Sequence, residues 1–252
     1  MKKVIILIIF VIFSNLIFAS SITVKGVTFT IKYLTIYPEY IKNYRVTYLT
    51  NDLSNIKNNV EIKLTRELNK YPKHVLLNYV SKTFNIVKSL LNLKTDELVD
   101  GLWYNNNNGG GIILMYSVFN SIDDYDLHVL HHEIFHSIYA KGGENSYNLL
   151  KTLNNFCNYS KDYNLESTNC LEFKSEFLTT YHPNGIEVSC ETFSLLMQND
   201  SSYDSTVIDW YLSNKSNNNK KLKENIKAVI SFTDKISNGV MNEVYYFTIS
   251  DK

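Results

Sequence analysis

Charge of one sign is missing from this chain: 25 lysines and arginines stand against 25 aspartates and glutamates. A net charge of zero argues against a surface built for nucleic acid or an anionic membrane, since both need a positive field. Cysteine is scarce, with only Cys157, Cys170 and Cys190. In an exported protein the first two can close a short polar loop, a bridge contributing up to about 3 kcal/mol. Cys190, between Glu187 and Glu191 on a predicted helix, reads as a small buried residue rather than a ligand. Internal repeats are absent, and the Asn-rich stretches around 105–108 and 215–221 are low-complexity segments without an assigned role.

The N-terminus lacks an unbroken membrane span. Lys2 and Lys3 precede an apolar run from Val4 to Phe13, which Ser14 and Asn15 interrupt before Leu16 to Ala19. The pattern is that of a secretory signal peptide over residues 1–20, cut after Ala19 or after Ser21. An uncleaved anchor is the alternative, but the run falls short of the roughly 18 apolar residues a span requires. No cysteine follows the run to carry a lipid. The body is therefore expected outside the cytoplasm, secreted or periplasmic, with no membrane contact after cleavage. Its 44% apolar content permits a substantial core.

Apolar spacing divides that body. Val27, Phe29, Ile31 and Tyr33 alternate with polar residues, which predicts a half-buried strand. Leu53, Ile56, Val60, Leu64 and Leu68 follow helical spacing to Tyr71, where Pro72 interrupts and can start another helix. Leu76, Val80, Phe84, Val87 and Leu91 continue at intervals of three and four and predict that second helix. A glycine-rich loop enters a strand over Ile112 to Tyr116, a segment free to pair with an extended peptide substrate. Helices are expected near 187–198, 203–212 and 222–236, and a closing strand over 240–249.

The run His131-His132-Glu133-Ile134-Phe135-His136 contains His132-Glu133-x-x-His136. Two histidines four apart on a helix converge on one ion, and the intervening glutamate reaches water at that ion. Zinc would acidify the water and polarise a carbonyl, while Glu133 accepts the proton. With six histidines in the chain, chance gives this pattern in roughly one such sequence in a hundred. Asp123 and Asp124 can cap the helix, Leu127, Leu130, Ile134 and Ile138 form its apolar stripe, and Gly142-Gly143 can stop it.

A catalytic zinc takes three protein ligands and keeps one position open. His182, Glu176 and the pair Glu187-x-x-x-Glu191 are the candidates for the third; the pair has the added merit that one carboxylate can bind while the other orients a ligand histidine. The segment from Leu178 through Tyr181, Glu187, Glu191 and Phe193 to Met197 resembles the metalloprotease domain of anthrax toxin lethal factor and the Pro-Pro endopeptidases. That resemblance covers about Tyr71 to Ile236, with strong identity in the two motif helices. It implies an α+β, zincin-like domain with a small mixed or antiparallel sheet and a mainly helical C-terminal part. It further implies zinc on His132, His136 and Glu187, Glu133 as base, Tyr181 as a transition-state hydrogen-bond donor, and Glu191 behind the ligands. Phe135 departs from the glycine the family often carries there.

The resulting expectation is an N-terminal extension over residues 21–70 and a zinc metalloprotease domain over 71–252, acting as a monomeric gluzincin-type endopeptidase on protein or peptide. A zinc amidase acting on cell-wall peptides and a non-catalytic exported binding protein of the same fold are the alternatives.

Overall fold

The computed structural model describes residues 18–33, 43–47, 49, 53–105, 110–120, 126–149, 185–197 and 218–243; at 185–188, 191, 195, 218–226 and 242–243 it describes backbone only. Two compact units emerge, the first from Met1–Asn69 with Ser81–Asn120, the second from Lys70–Val80 with Ser121–Lys252. The expected division at residue 70 thus takes another form. Residues 81–120 return to the first unit because their strands share a sheet with the N-terminal hairpin.

That hairpin joins β1 (Phe18–Val24) to β2 (Val27–Tyr33) in antiparallel register, Val24 opposite Val27. Lys25 and Gly26 both have positive φ, 51° and 77°, the conformation a two-residue primed turn demands. The expected signal cut after Ala19 falls inside β1, leaving Ser20 to Val24 in the ladder. The predicted strand 27–33 matches β2: its odd-numbered residues are buried, with Phe29 and Ile31 fully enclosed.

The predicted helix 51–71 is α1 (Leu53–Leu68), which buries Val60, Leu64 and Leu68. Pro72 then caps α2, but α2 spans only Lys73–Asn78. The helix expected to run on to Leu91 is instead two strands, β4 (Thr83–Val87) and β5 (Ser89–Asn92). The reason is tertiary: Thr83 to Ile86 pair parallel with Thr30 to Tyr33, while Phe84 to Val87 pair parallel with Ile112 to Met115. A strand enclosed on both faces carries a continuous apolar run, and such a run imitates helical spacing.

The main sheet has the order β1-β2-β4-β8-β7, with β7 (Gly101–Tyr104) antiparallel to β8 (Gly111–Met115). It is therefore mixed, and the chain is α+β. The strand Ile112 to Tyr116, expected to lend an edge to substrate, is an interior strand instead: β8 is paired by β4 on one side and β7 on the other. Its ladder groups are already used. A second sheet, β3 (Tyr44–Thr47), β5 and β6 (Glu97–Leu98), joins Val46 and Leu90 to Val87, Tyr104, Ile113 and Met115 in one apolar cluster. Gly111 lies beneath the Tyr104 ring, where a Cβ would collide with the phenol. The Tyr104 hydroxyl accepts a bond from Asn85 Nδ2 at 2.9 Å, which satisfies a buried amide in the sheet. The short α3 (Ser117–Asn120) ends this unit, its Phe119 carbonyl accepting from Asn59 Nδ2 at 2.7 Å.

The described part of the second unit is helical. It contains α2, α4 (Leu127–Lys141), helical residues 144–149, α5 (Gly185–Met197), α6 (Asn218–Ser237) and a 3-10 turn, Val240–Glu243. The closing strand expected over 240–249 is contradicted at its start by that turn, which follows Asn238 and Gly239, both at positive φ. Tyr71, Val75, Leu76, Leu130, Ile134, Phe193, Val229 and Phe232 are buried in this unit, with the Tyr71 and Phe193 rings 6.3 Å apart. No helix among the described residues is long and apolar enough to cross a membrane.

Candidate metal centre

Helix α4 carries the motif. It begins two or three residues later than the aspartates predicted, with Asp126 at the N-cap and no side-chain capping bond; Asp123 and Asp124 lie outside the described residues. It stops where predicted, with Gly142 at the C-cap and Gly143 at φ 57°. Gly142 sits against Phe232 and Ser146, and a Cβ there would collide with the serine hydroxyl. The helix end is thus set by packing as well as by backbone freedom.

The three histidines of the run separate by their surroundings. His131 is 1% exposed and its Nδ1 lies 2.7 Å from the Tyr71 hydroxyl. His132 and His136 instead face each other, Nε2 to Nε2 at 3.2 Å, with ring planes inclined at 62°. Two nitrogens that each bind one tetrahedral zinc lie roughly 3.3 Å apart, given bond lengths of about 2.0–2.1 Å. The spacing of the two nitrogens therefore matches what such an ion would need. Glu133, on the same helix, is only 6% exposed. A carboxylate that buried is retained where charge or hydrogen bonding compensates it.

The Phe135 side chain joins three helices. It is fully buried, 4.9 Å from the Phe193 ring and edge-on to Phe232 at 5.6 Å. This aromatic contact ties α4 to α5 and α6. Ser137 on the same helix donates to the Tyr79 carbonyl at 2.8 Å, linking α4 to the end of α2. Burial pushes the Tyr139 pKa up, with Cys190 adding to the rise, and burial pulls that of Lys141 down.

Helix α5 holds the expected third ligand. Glu187 and Glu191 lie on it, but their side chains fall outside the described residues, as do Glu176, Tyr181 and His182 altogether. Cys157 and Cys170 fall outside as well. The described residue of α5 that joins the histidines is Cys190, fully buried: its Sγ and the ligand nitrogens of His132 and His136 all lie within 4.8 Å of one another. The sequence favoured packing over a ligand role for Cys190. The available signal was its position, one helical turn after Glu187. No family model, curated protein or solved structure matches the chain.

Proposed function

We propose that this protein is an exported zinc-dependent endopeptidase of zincin type, hydrolysing peptide bonds with Glu133 as general base. The observation that carries the reading is the convergence of His132 and His136 Nε2 at 3.2 Å on a helix that also buries Glu133. His132 and His136 would hold the ion, with a third ligand from α5, Glu187 by resemblance. When bound, zinc supplies Lewis acidity, which acidifies water and polarises a substrate carbonyl.

The remaining work belongs to the chain. Glu133 takes the proton from the attacking water and later delivers it to the leaving amine, a role for which a partly desolvated carboxylate is suited. Tyr181 donates a hydrogen bond to the oxygen that becomes negative, and Glu191 orients a ligand histidine. His131 Nδ1 is engaged by the Tyr71 hydroxyl at 2.7 Å, while His132 and His136 face each other.

Glu133→Gln tests the reading, because it preserves shape while removing the base. Zinc content should equal wild type and cleavage of a peptide library should fall by at least about 100-fold. Cleavage at the wild-type rate would refute the mechanism.

A further inference from the structure

We infer that Cys190 is a metal ligand, its thiolate taking the third protein position so that the centre is a two-histidine, one-cysteine site. This rests on the metallopeptidase reading and changes its ligand set. Three facts converge. The sulfur and the two imidazoles form one group with no pair of ligand atoms beyond 4.8 Å. Cys190 and His132 are buried while His136 is half-buried, so sulfur sits at the closed end and solvent reaches the group beside His136. The helix carrying Cys190 is held against α4 by the Phe135–Phe193 contact, which fixes the approach of the two helices.

Chemistry favours the same assignment. A thiolate is a strong zinc ligand, with a bond of about 2.3 Å, and three protein ligands leave a fourth position open for catalysis. Closing from at most 4.8 Å to the roughly 3.6 Å separating nitrogen from sulfur around a tetrahedral zinc needs a movement of no more than about 1 Å. Binding exchanges the thiol proton for the metal and releases that proton to solvent, with no oxidant or reductant involved. Softer donors also shift preference towards thiophilic metals, so the site should take cadmium more tightly than an all-nitrogen-and-oxygen site would.

X-ray absorption at the zinc edge on the purified full chain reads the ligands directly. The expected shell contains one sulfur at about 2.3 Å beside nitrogen and oxygen neighbours. In Cys190→Ser the sulfur scattering should vanish and zinc affinity should drop by more than about 10-fold. The wild-type spectrum needs no variant to fold. A wild-type shell of nitrogen and oxygen alone, or sulfur that persists in Cys190→Ser, overturns the inference and leaves the peptidase reading standing. Failure of the wild-type chain to take up zinc overturns both.

Discussion

The Tyr71 hydroxyl lies 2.7 Å from His131 Nδ1, and the two rings are 5.8 Å apart inside the helical unit. With the phenol as donor, Nδ1 is the acceptor and the imidazole proton sits on Nε2. The bond is local to one histidine and has a consequence for its neighbour: the ring adjacent to His132 is committed to the core. Tyr71→Phe keeps the ring packing against Phe193, 6.3 Å away, and removes only the hydroxyl. The expected cost is about 1–3 kcal/mol, read as a lower urea midpoint at unchanged slope. A midpoint equal to wild type would show that the bond contributes nothing.

His131 and His136 should respond differently to truncation. His136→Ala removes one of the facing nitrogens and should weaken zinc binding by more than about 100-fold, beyond the effect of losing a supporting group. His131→Ala should lower stability and leave folded protein with full zinc content. Metal analysis of both variants after dialysis separates the roles, and zinc loss in His131→Ala would show that His131 also supports the metal.

Legibility in the sequence followed the strength of local constraint. β2 was readable because one face is buried and the other polar, so alternation survives in Val27 to Tyr33. β4 was not, because Phe84, Ile86 and Val87 are all enclosed and Asn85 turns inward to Tyr104 and the Ile112 carbonyl. With both faces buried the period of two disappears, and the spacing of Val80, Phe84, Val87 and Leu91 looks helical. At the centre, His132 and His136 were legible because four-residue spacing constrains a ligand pair by itself. Cys190 was not, because its relation to them depends on how α5 packs on α4, which a single helix does not encode.

Phe135 makes a packing prediction for the helical unit. Its ring bridges Phe193 and Phe232, so Phe135→Ala leaves a cavity among three helices and should cost about 3–5 kcal/mol. A large part of a typical domain's stability would go. Thermal unfolding should register the loss, while zinc bound per folded molecule stays at the wild-type value. A loss under about 1 kcal/mol would mean that the helices close over the gap.

Tyr33 supplies an alkaline signature for the sheet unit. The side chain is 3% exposed, its hydroxyl lies 3.5 Å from the Lys57 carbonyl, and burial pushes its pKa up from 10.0 to about 12. Below pH 10 both folded and unfolded chains keep the proton and the stabilisation is whole. Between pH 10 and about 12 the unfolded chain loses it while the native chain retains it, so stability falls as pH rises through that window. Tyr33→Phe removes the titrating group and, below pH 10, loses at most about 1 kcal/mol from the long hydrogen bond. Urea midpoints measured from pH 9 to 12 should therefore fall more steeply for wild type than for the variant. Other tyrosines titrate in both proteins and cancel in the difference. Parallel curves across the window would show that Tyr33 ionises as easily in the folded protein as in the unfolded chain.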